Sequence, residues 1–200
     1  MPRIQAATVA EHHARQRRAL LDAARALLAE EERAPSMAAV GRRAGLARSS
    51  VYQYFTSADE LLAAVVADVF PKWASQILNR VMAAPTPATR VWAYVAASVD
   101  LFASSEQAVA RVLTQVVEPR LLQGPMEQFH AQLQVPLRQA LADFGEPEPE
   151  TMAQLVDSLI VQASREVAVA DRTKVAPIRE VTLARLRRLL GPYLGLDPQD

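Results

Sequence analysis

The chain has no cysteine, only three histidines and only six glycines among its 200 residues. Without thiols there is no disulfide, no thiolate metal site and no cysteine nucleophile, which fits a reducing cytoplasm. The histidines show no HExxH spacing, so no zinc-type cluster forms, and no metal or cofactor is expected. So few glycines build no loop to cradle a phosphate. A nucleophile beside an acid–base pair is also missing, and the chain does not read as an enzyme. No run of 18 apolar residues and no leader-type apolar segment occur, so no membrane partner is expected. Charge of one sign is lacking too: 22 basic residues face 22 acidic ones, and no global basic excess advertises nucleic acid. Aromatic residues make up 6% of the chain, and with β-branched residues they never build a period-2 run. That absence removes the sheet classes.

What remains is a globular, all-α chain, half of it hydrophobic and long enough for one or two domains with a sizeable core. About nine helices are expected. The first ten residues read as a frayed arm. Leu20, Leu21, Ala24, Leu27 and Leu28 then share one face of a helix over about 12–31, which Ala34-Pro35 stops. Ser36 caps a short helix over 37–44 and Gly45 ends it. A helix of about seven residues follows, Arg48 to Tyr54. In Thr56-Ser57-Ala58-Asp59-Glu60 a capping box, Ser57 with Glu60, opens a fourth helix, which Pro71 should kink before it resumes at Lys72. Beyond the linker Ala84 to Pro87, helices are expected near 88–103, 106–120, 125–144, 149–170 and 176–195. Their punctuation is Ser104-Ser105, Gly124-Pro125, Gly145 to Pro149, and Asp171 to Lys174. Residues 1–57 form one domain and 58–200 the other.

The most informative stretch is Gly45 to Leu62. Two short helices meet at a glycine, and the second carries arginine, hydroxyls and tyrosines, a shape that suits a major groove. Local charge agrees: residues 1–60 hold nine arginines against seven acids, with basic segments at Arg15 to Arg18 and Arg42 to Arg48. Val51 and Phe55, spaced i and i+4 and preceded by Leu46, form the buried stripe. Arg48, Ser49, Ser50, Tyr52, Gln53 and Tyr54 are left on the outer arc. Arginine can bridge guanine O6 and N7, and glutamine can pair with adenine N6 and N7. Serine and tyrosine hydroxyls can bond phosphates. A solvated polar helix with half-buried tyrosines would show the same pattern.

Three runs carry a more specific likeness: Val40-Gly41-Arg42-Arg43-Ala44-Gly45-Leu46, then Val51-Tyr52-Gln53-Tyr54-Phe55, then Ser57 to Leu62. Together they resemble the DNA-binding domain of the TetR (tetracycline-repressor-like) family, and the length and nine-helix layout resemble that family throughout. The resemblance implies a recognition helix whose Ala47, Arg48, Ser49, Ser50, Tyr52, Gln53 and Tyr54 contact bases or phosphates, with Ser36 at the start of helix two counted beside them. Two positions depart from the pattern. Ala58 stands where the family usually has a phosphate-binding lysine, and Gly41 replaces the commoner alanine, which should weaken helix two by roughly 1 kcal/mol.

In similar proteins the C-terminal helices dimerise and hold an effector. Met152, Leu155, Val156, Leu159, Ile160, Ala163 and Val167 follow 3–4 spacing, as do Leu183, Leu186, Leu190 and Leu194. Two such helices can pair with a second copy as a four-helix bundle. Leu155, Leu159, Ile160, Ala163, Leu186 and Leu190 are the candidate interface implied with the resemblance, although each stripe taken alone favours facing its own core. Trp73, Trp92, Tyr94, Phe102, Met126, Phe129 and His130 are the large or polar residues able to line an effector cavity, or else plain core. His12-His13 could approach DNA, or could be a solvated helix start. The expected function is a homodimeric, cytoplasmic, DNA-binding repressor released from its operator by a small apolar or amphipathic effector. The rival is a helical small-molecule-binding or scaffold protein without DNA readout.

Overall fold

The computed structural model describes residues 3–170 and 173–196. Asp171 and Arg172, part of the run expected to separate the last two helices, lie outside them. Among the described residues nine helices and no strand occur: α1 (Arg3–Glu31), α2 (Met37–Ala44), α3 (Arg48–Val51), α4 (Ala58–Ala83), α5 (Pro87–Ala103), α6 (Ser105–Val116), α7 (Pro119–Phe144), α8 (Pro149–Ala168) and α9 (Val175–Leu194).

Four boundaries differ from expectation. The supposed arm is helix from Arg3 onward, because Ala6, Ala7, Ala10 and Ala14 are strong helix formers and no breaker interrupts them. The third helix is four residues, with 52–54 continuing as turn. Helix α4 runs through Pro71 without a break. A proline there costs about 3 kcal/mol, but Val65, Val66 and Val69 before it and Trp73, Ala74 and Ile77 after it are all buried. At about 1.5–3 kcal/mol for each large side chain, that burial outweighs the break. Finally, α6 and α7 part at Val117-Glu118, not at Gly124-Pro125. Pro119 disfavours helix at Glu118 and is itself pre-set for a first helical position.

By its contacts the chain divides into two compact units, Met1–Val69 with Ala108–Pro125, and Phe70–Gln107 with Met126–Asp200. In the first, Leu20, Leu21, Ala24, Leu27 and Leu28 of α1 are buried, as are Val40, Val51, Phe55, Leu61 and Leu62. In the second, α5 packs on α8 and α9, around Val95, Val99, Leu137, Leu141, Val156, Ile160, Leu186 and Leu190. Two polar groups are built into that unit. Tyr94 donates from its hydroxyl to Asp157 at 2.7 Å, and Gln134 donates to the other carboxylate oxygen. Asp100 accepts from Arg179 at 2.5 Å and from Arg80.

One helix, α4, is long and apolar enough to cross a membrane by length and composition, with a window of mean hydropathy 1.4. A sequence search for uninterrupted apolar runs passes over it because Asp68 and Lys72 interrupt it. Half of that window is buried inside the protein, and Leu61, Leu62, Val65, Val66, Val69, Phe70, Trp73, Ala74, Ile77 and Val81 of the helix are buried.

Candidate nucleic-acid interface

A glycine joint sets the angle between α2 and α3. Ser36 caps α2, its Oγ accepting from Ala39 N at 3.2 Å. At the other end Gly45 adopts φ 71°, the left-handed region that favours glycine. Gly45 N donates to Arg42 O at 3.2 Å and Leu46 N to Gly41 O at 2.8 Å, the Schellman closure that ends a helix and turns the chain. Gly41 matters for another reason. A Cβ on it would stand 2.9 Å from Val51 Cγ2 and 3.0 Å from the Leu46 carbonyl oxygen. The residue expected only to weaken α2 is what lets α3 pack this closely.

In α3 and the turn that follows it, Val51 and Phe55 point inward at 0% and 1% exposure, and the Arg17 guanidinium covers the Phe55 ring at 5.4 Å. Backbone bonds from Gln53 N to Ser50 O (3.1 Å) and from Tyr54 N to Val51 O (3.0 Å) keep the chain wound beyond the helix proper. The winding turns Ala47, Arg48, Ser49, Tyr52 and Gln53 outward, while Ser50 and Tyr54 are half-buried. Arg48 Nη2 donates to the Tyr52 hydroxyl at 3.4 Å, and its guanidinium lies 5.8 Å from the Tyr52 ring centroid. Tyr54 turns toward α1: its ring meets His13 at 4.4 Å between centroids, and its hydroxyl donates to Gln16 Oε1.

The start of α4 closes the motif. Ser57 Oγ accepts from Glu60 N at 3.1 Å, one half of the expected capping box. The Glu60 carboxylate takes the backbone N–H and hydroxyl of Thr56, both at 2.6 Å, instead of the Ser57 N–H. These bonds hold the Glu60 carboxyl below its ordinary pKa. Ala58 is exposed in the first turn and offers no cation, while Asp59 and Glu60 beside it are acidic.

Pairing shrinks the basic patch that a count of arginines implies. Arg18 is held by Asp22 and by Asp68, the latter at 2.5 Å. Arg43 is held by both oxygens of Glu30 at 2.6 Å each. Arg15, Arg42 and Arg48 are exposed. Ion pairing of surface arginines is a tertiary property, and no local pattern signals it.

The other candidate residues fall in the second unit. Trp73 is buried and donates from Nε1 to Glu106 at 2.7 Å. Trp92, Phe102 and Phe129 pack against that unit's core. Trp92 lies 4.8 Å from the Arg187 guanidinium. Met126 is half-buried and His130 exposed. None of these six lines the cleft of about 300 Å³ bounded by Gln76, Ile77, Arg80, Asp100, Ser104 and Glu106. Its polar lining passes for a solvated helix face in sequence. Ile160, Leu186 and Leu190 are packed inside their own unit. Leu159 and Ala163 are half-buried and Leu155 is exposed. Val161, Val181 and Leu189, also exposed, join Leu155 on α8 and α9.

Residues 20–65 match the family model described as bacterial regulatory proteins, tetR family. No curated protein matches the chain. Among solved structures, a TetR-family transcriptional regulator from Streptomyces coelicolor is 17% identical with a TM-score of 0.70, over 90% of this chain and 96% of that one. FadR from Bacillus subtilis, a transcriptional regulator solved with stearoyl-CoA, is 13% identical with a TM-score of 0.60, over 82% and 96%. AibR, solved with isovaleryl coenzyme A and operator DNA, is 15% identical with a TM-score of 0.62, over 85% and 97%. At such identities the structural likeness is one of fold. The motif match falls on the capped α2, the glycine joint and the outward face of α3, so residues 20–65 carry a helix-turn-helix domain similar to that of the tetR family of bacterial regulatory proteins.

Proposed function

We propose that this chain is a homodimeric repressor that reads operator DNA and lets go when a small amphipathic effector binds. The observation that carries the reading is the outward face of α3, where Arg48, Ser49, Tyr52 and Gln53 stand together on a turn anchored by Val51 and Phe55. Donors and acceptors on one exposed helical face match base edges and phosphates in a major groove. Such a short reader needs a second copy. Two heads one helical turn apart, roughly 34 Å, would engage successive major grooves. Leu155, Val161, Val181 and Leu189 on α8 and α9 give that copy an apolar face, beside a shallow cleft of about 400 Å³. Acting on chromosomal DNA implies a cytoplasmic protein.

The cleft beside Arg80, Asp100 and Glu106 suits an effector with an apolar body and a polar end, because Ile77, Ala97 and Leu101 share its wall. Helix α4 supplies residues to both compact units. An effector that shifts α4 would therefore change the spacing of the heads. A coupling of about 1–3 kcal/mol lowers operator affinity roughly 5–150-fold. The test is fluorescence anisotropy on duplexes tiling the DNA upstream of the chain's own coding sequence. Salt-sensitive, saturable binding to one duplex is the expected result. Failure to bind any of them, or any genomic fragment, refutes the repressor and favours the scaffold. Isovaleryl-CoA and stearoyl-CoA, found in two proteins of this fold, are rational first effectors to titrate against the complex.

A further inference from the structure

Two tyrosines of the α3 turn make hydrogen bonds of opposite polarity. A phenol has one proton to give and two lone pairs to accept with. The Tyr52 hydroxyl accepts from Arg48 Nη2 at 3.4 Å, and a guanidinium accepts nothing in return. The Tyr52 proton is thus not taken up by Arg48 and can go to a phosphate oxygen. Tyr54 gives its proton to Gln16 Oε1. Its oxygen can then only accept, and a phosphate has no proton to offer it. In a major groove the matching donors are the N6 amino group of adenine and the N4 amino group of cytosine.

The residues that impose this polarity lie on α1, outside the two short helices of the motif. His13 and Gln16 stand three residues apart, hence on one helix face. His13 is exposed and Gln16 half-buried, and between Val9 and Ala19 no residue of α1 is buried. Core packing does not account for their contact with Tyr54. The His13 ring, tilted 34° at 4.4 Å between centroids, limits how the Tyr54 ring can turn.

We propose that His13 and Gln16 are positioning residues for base readout: they hold Tyr54 as an acceptor-only group at the DNA face and leave phosphate donation to Tyr52. The proposal rests on the DNA-binding reading above. Its test uses the full-length protein, a duplex enriched by that protein from a random-sequence pool, and a scrambled duplex of equal length. Gln16→Met removes the acceptor at similar length. It should cut the ratio of affinities for the enriched and scrambled duplexes roughly five-fold, the effect of one hydrogen bond. In a Tyr54→Phe background the same substitution should cut that ratio no further. His13→Ala should lower the ratio and His13→Phe, which keeps a ring against Tyr54, should restore it. Tyr52→Phe should weaken both complexes alike. Additive effects of Gln16→Met and Tyr54→Phe, or equal loss on both duplexes from Gln16→Met, overturn the positioning role. A pool that enriches nothing overturns the DNA-binding reading itself, and thermal melts of each variant separate either result from misfolding.

Discussion

Replacing Gly41 with alanine sets helix propensity against packing within one methyl group. On propensity alone the change should stabilise α2 by about 1 kcal/mol, since glycine is that much poorer than alanine inside a helix. The space for the methyl is already occupied. The new Cβ would lie 2.9 Å from Val51 Cγ2 and 3.0 Å from the Leu46 carbonyl oxygen, where carbon atoms prefer about 3.5–4.0 Å. Neither neighbour can withdraw easily. Val51 is fully buried and β-branched, so its χ1 is stiff, and the Leu46 oxygen belongs to backbone fixed by the Schellman closure. Overpacking of this kind costs about 1–3 kcal/mol. The two effects sum to a change between nothing and a loss of about 2 kcal/mol. Urea unfolding monitored by circular dichroism measures it, and DNA affinity provides the second readout. Val51 is the buried residue of α3, so pushing it tilts the reading helix and weakens binding. A variant that melts about 2–4 °C higher, as a full gain of 1 kcal/mol would give, and binds DNA like the parent would refute the packing argument.

The two neighbouring basic segments should respond differently to truncation. Arg48→Ala is expected to lose about 1–3 kcal/mol of discrimination at one base pair, whereas Arg43→Ala, already engaged by Glu30, should change DNA binding far less; equal losses in a competition titration would contradict the ion-pair assignment. Burial pushes the Asp157 carboxyl above the ordinary aspartate value, against the opposing pull of Tyr94, His130 and Gln134. Its folded-state pKa therefore exceeds the unfolded one, and the stability carried by the neutral form is present at low pH and lost as pH rises through the folded value. Asp157→Asn should flatten that fall as the pH rises above the ordinary aspartate value, and parallel urea-midpoint curves for variant and parent would count against it. A charge on the outward face of α8 and α9, as in Leu155→Arg or Leu189→Glu, should yield a helical monomer by sedimentation velocity; an unchanged oligomer would move the interface elsewhere.

Much of the local structure is readable residue by residue because its causes are local. Ser36 caps α2, Gly45 ends it, and the i, i+4 pair Val51 and Phe55 is buried, since capping and helical periodicity depend only on neighbours in the chain. Punctuation by proline is harder to read. Pro71 does not interrupt α4 and Pro125 lies inside α7, while Pro119 marks the real boundary. A proline's effect depends on how much apolar surface its helix buries on either side, and a local pattern cannot weigh that. The outward face of α3 is legible for the same periodic reason. The partners of its side chains are not: Gln16 meets Tyr54 across 38 positions of sequence and Glu30 meets Arg43 across 13.

By itself the sequence determined the helical class, the caps, the glycine turn and the choice of side chains on the outward face of α3, because propensity, periodicity and hydrogen-bonding type belong to residues and their near neighbours. Only the tertiary structure decided which arginines are neutralised by ion pairs, which tyrosine hydroxyl donates to Gln16 and which accepts from Arg48, which stripes on α8 and α9 face inward, and why position 41 leaves no room for a methyl. Those outcomes turn on distances of a few ångströms between residues far apart in the chain, and such distances exist only once the helices have packed.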